Sequence, residues 1–250
     1  MKKELQYLII LLKNIGKFSK IQIGRIKMVR KYRQDNGKEK TTDRKYAEYH
    51  YECLSPIQKK YYKEIHKSLL ENKDCLFLTV DRNNVEMDLQ KTLLAFTRDH
   101  VEMSYKLTGK YSLSWSSRTR VFVELKQNYY LETYSPKHRI AEITKVASQY
   151  HTSLMKMAVV YEYIMEHIRI CDGGEKLIGS SLMNAAIFWI TDLEGAYRLL
   201  TWTLRELGID CGIIYQDTKM YCMVNINDVG CIPIDFGIYK KEIEEGNVLL

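Results

Sequence analysis

Apolar residues recur at the helical period of about 3.6 residues in several segments that begin or end at capping residues. Ser55 followed by Pro56 is typical of a helix start, because serine can accept a hydrogen bond from a free backbone N–H and proline has none to satisfy. Asp192 is a similar N-cap, and Gly208 is a typical helix end. The pattern therefore predicts helices over residues 56–70, 85–97, 141–170 (as two helices divided near 151–153) and 192–207.

A second pattern, alternating or rich in β-branched and aromatic residues, predicts strands. Asn227-Asp228 is a hairpin turn signal between the last two of them. The order of helices, then strands, then a helix followed by strands predicts an α+β fold. The predicted strands cover residues 75–80, 111–115, 120–125, 129–133, 209–215, 219–226 and 230–235.

The first part of the chain differs from the rest in its pattern. Residues 3–13 place Leu5, Leu8, Ile9 and Leu12 on one helical stripe, and the polar, turn-prone residues 34–45 are typical of a linker. We therefore divide the chain into three parts, which are a basic tail and linker over 1–45, a helical and β region over 46–140, and a core over 141–250.

The net charge of +7 is concentrated in this tail. Residues 1–45 contain 14 Lys/Arg and 4 Asp/Glu, whereas the remaining residues contain 24 and 27. Because the body is slightly acidic, its charge gives no reason to expect a nucleic-acid partner. The apolar stripe and basic residues of 1–33 are typical of an interfacial helix on an anionic membrane surface. They equally suit a solubilising arm or a helix docked on the body, and binding of the tail to nucleic acid, whose phosphates these charges would neutralise, is a third alternative.

The cysteines and the apolar runs indicate the cellular compartment in which the protein is located. Six cysteines without a C-x-x-C pair indicate free thiols in a reducing environment. The apolar run 5–12 resembles an export signal, but Lys13 cuts it short and no small-residue cleavage site follows. No apolar run approaches the ~20 residues that cross a bilayer. We therefore expect a cytoplasmic protein, with peripheral membrane binding through the tail as the alternative.

Two weaker patterns concern metals and phosphates. His167 and Cys171 are spaced as two metal ligands on one helical face, but no second pair lies near them in the sequence. Gly173-Gly174 lacks the remainder of a phosphate-binding loop, and a turn that ends a helix explains it. We therefore predict neither a metal nor a cofactor.

Short motifs follow one another in a fixed order through the second half of the chain, at residues 161–164, 171–172, 181–187, 191–197, 207–211, 220–224 and 234–235. The helix from Ser55 and the Asp99-His100-Val101-Glu102 element precede them. In this order and spacing, the motifs resemble the transglutaminase-like superfamily of papain-type cysteine enzymes, and more closely its bacterial members. The resemblance covers roughly residues 50–240 and implies a papain-like core, in which a helix is followed by antiparallel strands.

The resemblance also identifies three site positions. In active members of the family a cysteine opens a helix, where free N–H groups favour its thiolate, and a histidine and an aspartate on the following strands complete a triad. These positions fall on Leu193, Met220 and Asp235, so only the acid is kept. A hydrocarbon and a thioether cannot attack a carbonyl or move a proton. The resemblance therefore implies a pseudoenzyme that binds a peptide or protein, with the former cleft either open or plugged by these side chains.

Cys222 supports the alternative hypothesis, an active cysteine protease, amidase or transglutaminase-type acyl transferase with a relocated thiol. Cys222 follows Met220 by two residues, so both side chains point to the same face of a strand. Its base would have to be one of the six histidines, at positions 50, 66, 100, 138, 151 and 167. A further hypothesis is an acid-dependent hydrolase that uses Asp235. Without an imidazole to orient, Asp235 is expected to bond to backbone N–H groups or a tyrosine hydroxyl.

Overall fold

The computed structural model of the protein describes residues 48–80, 84–127, 135–171, 182–216, 219–226 and 229–236. The predicted tail and linker over residues 1–45 and the predicted strand over 129–133 lie outside these ranges. The described part combines helices with antiparallel sheets, as the predicted α+β class requires.

The α-helices of the described residues are α1 Tyr49–Glu52, α2 Pro56–Leu70, α3 Val85–Asp99, α4 Val101–Ser104, α5 Lys137–Ala147, α6 Ser153–His167 and α7 Leu193–Glu206. The strands are β1 Cys75–Thr79, β2 Leu107–Trp115, β3 Arg120–Gln127, β4 Arg169–Ile170, β5 Ile190–Thr191, β6 Asp210–Gln216, β7 Lys219–Ile226 and β8 Gly230–Ile234.

Capping residues fix the start of α2 and both ends of α7. Ser55 and Gln58 form a reciprocal capping box at the start of α2, in which each side chain accepts a hydrogen bond from the other residue's backbone N–H. The Asp192 carboxylate accepts a hydrogen bond from the Gly195 N–H at the start of α7, at 2.8 Å. Gly208, with a φ of +75°, ends α7 in the left-handed conformation. These three predicted boundaries are confirmed.

The helix pair predicted over residues 141–170 is confirmed in its division but wrong at both of its outer ends. The first helix spans Lys137–Ala147 and so begins before residue 141, and the second spans Ser153–His167 and so ends before residue 170. Ile168 is extended, and the Arg169 N–H donates to the Trp189 carbonyl at 2.7 Å. Pairing with β5, a contact that is distant in sequence, therefore overrides the helical pattern of residues 168–170.

The segment before α7 contains a π-helix, Asn184–Phe188, that the sequence does not predict. It is followed by Trp189 in the left-handed region, with a φ of +56°. Thr191 of β5 then pairs with Ile170 of β4 in parallel, immediately before α7 begins. This arrangement ties the start of α7 to the end of α6.

The strands form two antiparallel three-stranded sheets and the short parallel pair. The first sheet has the order β1–β3–β2, and the second has the order β6–β7–β8. In the second sheet Cys222 lies opposite Ile213 on one side and Ile234 on the other. Side chains at alternate positions of β7 therefore face α7 together with those of β6 and β8.

Two separate hydrophobic clusters form the core. The N-terminal cluster consists of buried side chains of α2, α3 and the first sheet, centred on Tyr61, Ile65 and Phe96. The C-terminal cluster consists of buried side chains of α5, α6, α7 and the second sheet, and Val101 of α4 belongs to it. The chain therefore enters the C-terminal cluster at Val101, returns to the N-terminal cluster in β2 and β3, and re-enters the C-terminal cluster at α5. The domain boundaries derived from the sequence stay a prediction.

Across the described ranges, no helix is both long and apolar enough to cross a membrane. Within the same ranges, no group of three or more His, Cys, Asp or Glu side chains is arranged to hold a metal ion.

Candidate functional site

Leu193 is the first residue of α7, where the family resemblance places the nucleophile. The carboxylate of the preceding residue, Asp192, caps the helix through the Gly195 N–H. The Leu193 side chain is partly buried and packs against the C-terminal cluster. The capped start of α7 therefore carries a hydrocarbon side chain at this position.

Met220 lies near the start of β7, directly opposite Tyr215 of β6. Its side chain is partly buried against the C-terminal cluster, as is that of Leu193. Met220 and Cys222 point to the same face of β7, as the sequence predicts, and the Cys222 sulfur meets the Thr201 hydroxyl of α7 at 3.4 Å.

Asp235 directly follows β8, and a tyrosine hydroxyl holds it as expected. The Tyr197 hydroxyl donates to Asp235 Oδ1 at 3.2 Å and accepts a hydrogen bond from the Phe236 N–H at 2.9 Å. Tyr197 follows Leu193 by one turn of α7, so the two side chains share a helix face. Tyr197 is 1% exposed, and burial is the largest cause that raises the pKa of its hydroxyl.

The contacts along α7 give the relative placement of the three positions. Tyr197 contacts the end of β8, while Thr201, one turn further along, contacts Cys222 of β7. Continuing the pairing of Cys222 with Ile234 brings Asp235 beside the start of β7. The Met220 end of β7 and Asp235 therefore lie at the end of the sheet that faces the start of α7.

A group of charged and aromatic side chains surrounds this helix start. Glu194 and Arg198 form an ion pair of 2.7 Å on α7, with side chains that are 21% and 11% exposed. The Arg98 guanidinium of α3 stacks on the Tyr215 ring, with its carbon 3.4 Å from the ring centroid. The His50 ring of α1 packs edge-on against the same tyrosine. We call these five residues the arginine–tyrosine cluster.

His50 is neutral in this cluster at neutral pH. Its Nε2 donates to the Ile213 carbonyl at 2.7 Å, because a carbonyl can only accept. Burial is the largest cause that lowers the pKa of His50, to about 4, and Arg98 acts in the same direction. Burial and Glu194 together raise the pKa of the Tyr215 hydroxyl, so that residue is also neutral.

Cys222, the alternative nucleophile, is completely buried in the C-terminal cluster. Its side chain is 0% exposed, and its sulfur lies against Thr201 and the thiol of Cys211, which is equally buried. Burial disfavours the thiolate and acts to raise the pKa of Cys222. Hydrogen bonds from Cys211 and Thr201 favour the thiolate, and the pKa of Cys222 is lowered as the net result. Burial raises the pKa of Cys211. A lowered pKa without access gives no nucleophile, because a substrate carbonyl cannot reach the sulfur.

Four of the six histidines, including His50, contact groups other than Cys222. His66 and His100 stack with centroids 4.4 Å apart, and His100 Nδ1 lies 3.1 Å from Glu102 Oε1. His167 stacks on Tyr163 and bonds to its carbonyl. His138 and His151, the two remaining histidines, are exposed.

The Asp99–Glu102 element joins the two clusters. Asp99 accepts hydrogen bonds from the backbone N–H groups of His50 and Tyr51 and from the Tyr62 hydroxyl. Arg205 at the end of α7 donates to the Asp99 carbonyl at 2.5 Å and reaches Glu102 at 3.5 Å. We call these polar contacts between the two clusters, together with the bond from His50 to Ile213, the seam.

Differential alkylation tests the burial of the thiols. We expect iodoacetamide to modify the exposed Cys53 first and to leave Cys211 and Cys222 unmodified in the native protein, because a buried thiol reacts only after local opening. All six cysteines should react in urea. Mass spectrometry of peptides after timed quenching measures the rates, and native modification of Cys222 as fast as Cys53 would contradict the structure.

Comparison with known proteins finds similarity among the solved structures. No family model matches the chain, and no curated protein matches it. A crystal structure of a candidate protease from Parabacteroides distasonis matches 51% of this chain and 35% of that protein, with 10% identity and a TM-score of 0.32. A structure described as a TGase matches 64% of this chain and 50% of that protein, with 12% identity and a TM-score of 0.35. This chain therefore spans half or less of those proteins, and TM-scores this low do not establish a shared fold.

Proposed function

We propose that the protein is a non-catalytic, transglutaminase-like binding module that holds a peptide or protein segment at the start of α7 without reacting with it. The observation that supports this proposal is the identity of the side chains at that position. A capped helix start carries Leu193, and Met220 occupies the neighbouring strand. Neither side chain can serve as nucleophile or base. The proposal rests on the motif resemblance for the family and on these side chains for the loss of catalysis.

The surroundings of Leu193 suit binding. The leucine is only partly buried, so it offers apolar surface beside the partly exposed ion pair of Glu194 and Arg198. Binding sites typically combine an apolar surface with a few fixed polar groups that orient the ligand. Asp235, held by Tyr197, is already bonded and is not poised to orient an imidazole.

The second candidate function is a cysteine protease, amidase or acyl transferase that uses Cys222. The lowered pKa of Cys222 is the observation in its favour. Complete burial of the sulfur and its contacts with Thr201 and Cys211 oppose it. Amide or ester hydrolysis by the wild-type protein that is lost in Cys222→Ala would overturn the pseudoenzyme proposal in favour of this candidate.

A peptide-binding measurement tests the proposal. We expect selection from a random-peptide phage library to yield ligands whose affinity falls by at least about tenfold in Leu193→Glu, because a charge replaces the apolar contact. Leu70→Glu is the matched control, since Leu70 is 60% exposed at the end of α2. Calorimetric titration of synthetic versions of the selected peptides gives the affinities.

The control variant tests where the peptide binds, and the selection itself tests whether the protein binds peptides. Equal loss of affinity in both variants would indicate a general charge effect and contradict binding at the start of α7. Failure to select any peptide on the folded wild-type protein would contradict the binding proposal itself. Circular dichroism of each variant shows whether it is folded.

A further inference from the structure

β1 is an edge strand, and alternate backbone polar groups along it point away from its sheet. The order β1–β3–β2 gives β1 a neighbouring strand on one side only. At the end of the strand the Val80 N–H donates to the Thr119 carbonyl, so the even-numbered residues of this segment bond to β3. The N–H and C=O groups of Cys75, Phe77 and Thr79 therefore point outward from the edge.

Most of these outward groups are unpaired. Within the described ranges, no hydrogen bond reaches the backbone N–H or C=O of Phe77 or Thr79. The Ser68 hydroxyl of α2 donates to the Cys75 carbonyl at 3.1 Å, which leaves the second lone pair of that oxygen. Phe77 is 49% exposed and Thr79 is exposed, so solvent reaches this edge. Such an edge is a template for another strand.

The other edges of the two three-stranded sheets carry features that oppose such pairing. β2 has an irregular register between Leu107 and Tyr111, and β8 contains Pro233, which has no N–H to donate. On β6, the Ile213 carbonyl is bonded to the His50 ring. β1 contains no proline and no charged residue, and its register with β3 is regular. β1 therefore lacks the usual protections of an edge strand.

We propose that β1 pairs with β1 of a second copy of this chain, antiparallel about a two-fold axis at Phe77, so that the two first sheets become one. This register sets Phe77 opposite its counterpart and Cys75 opposite Thr79 of the second copy, so outward groups meet only outward groups. The same strand then serves both partners, as a two-fold interface requires. The inference goes beyond the proposed function, because it concerns a surface other than the start of α7.

The side chains on the solvent face of the sheet suit this register. Phe77 lies opposite Phe122 of β3 with ring centroids 5.2 Å apart, and the Arg120 guanidinium carbon lies 4.4 Å from the Phe77 ring centroid. At the two-fold axis the two Phe77 rings become cross-strand neighbours, so the aromatic row continues from one sheet into the other. Because β1 carries no charge, no like charges face each other across the pair.

Charge substitutions at the axis test the pairing, with sedimentation velocity at rising protein concentration as the measurement. One short strand per copy buries little surface, so we expect a weak, concentration-dependent dimer of the wild-type protein. Phe77→Glu and Phe77→Lys should each weaken it at least about tenfold, because like charges then meet at the axis. An equimolar mixture of the two variants should associate again, because Glu then faces Lys. Leu94→Glu, at a 44% exposed residue of α3, is the control and should dimerise as the wild type does.

Several results would overturn the proposal. These are a wild-type protein that stays monomeric, a dimer that persists in both Phe77 variants, an equal loss in Leu94→Glu, and a mixture that fails to associate. Circular dichroism shows whether each variant is folded.

Hydrogen exchange of the wild-type protein gives a second test that needs no substitution. We expect the Phe77 and Thr79 amides to exchange more slowly at high than at low protein concentration. The Leu78 amide is bonded to β3 and should be protected at both concentrations. Exchange that does not depend on concentration would overturn the pairing. Protection only after addition of a peptide of alternating Thr and Val would indicate an edge that binds other strands and would overturn self-association.

Discussion

Replacing Arg205 by methionine is expected to lower the free energy of unfolding by about 3 kcal/mol, because several buried acceptors lose their donor together. Arg205 Nε and Nη2 both donate to the Cys211 carbonyl, at 3.1 and 3.0 Å, and Nη1 donates to the Asp99 carbonyl. The arginine side chain is 18% exposed, so water cannot fully replace these bonds. Methionine keeps much of the volume and removes every donor.

Urea denaturation of wild type, Arg205→Met, Arg205→Lys and Arg169→Met measures this effect. Arg169 is exposed on β4 and is the matched control, which we expect to change stability by no more than about 0.5 kcal/mol. Arg205→Lys keeps the charge but has fewer donors in a different geometry, so its loss should be intermediate. Equal stability of Arg205→Met and Arg169→Met would show that the contacts of Arg205 contribute little.

Acidification is expected to destabilise an Asp99→Asn variant more, and a His50→Gln variant less, than the wild-type protein. Burial lowers the pKa of His50 to about 4, so the folded state stays neutral while the unfolded chain takes up a proton near its ordinary pKa. His50 therefore costs stability as the pH falls from about 6.5 to 4. Burial raises the pKa of Asp99 to about 6, so the folded state takes up the proton first. Asp99 therefore adds stability as the pH falls from about 6 to 4.

The two effects are of similar size, about 2–3 kcal/mol each, and largely cancel in the wild-type protein. In Asp99→Asn the His50 effect acts without its counterpart, so stability should fall more steeply on acidification than in wild type. In His50→Gln the Asp99 effect remains, so stability should fall less or rise. Urea midpoints at intervals from pH 7 to 4 give the slopes, and parallel slopes in the two variants would contradict both assignments.

The parts of the fold that could be predicted depend on local sequence. The Ser55 capping box, the Asp192 cap and the Gly208 end each lie within a few residues of the feature they determine. The π-helix and the end of α6 could not be predicted in this way. Both adjoin the pairing of β4 with β5, which brings residues 169–170 and 190–191 together across the chain.

Some residues of the candidate site could likewise be predicted from the sequence, and others could not. Leu193, Met220 and Asp235 could be selected because each lies in a short motif with a fixed order along the chain. Arg98 and Tyr215 carry no such signal, since their stacking depends on packing α3 against β6. The Asp99–Glu102 motif was visible in the sequence, but its contacts with Arg205 follow only from the folded arrangement.

The arginine–tyrosine cluster spans the seam, because Arg98 belongs to α3 and Arg198 and Tyr215 belong to α7 and β6. The stacking of Arg98 on Tyr215 therefore forms only when the two hydrophobic clusters are docked. This stacking and the polar contacts of the seam are then thermodynamically linked, and each favours the other. A substitution at the opposite end of α7, such as one at Arg205, would accordingly weaken the contact of Arg98 with Tyr215 without touching either residue.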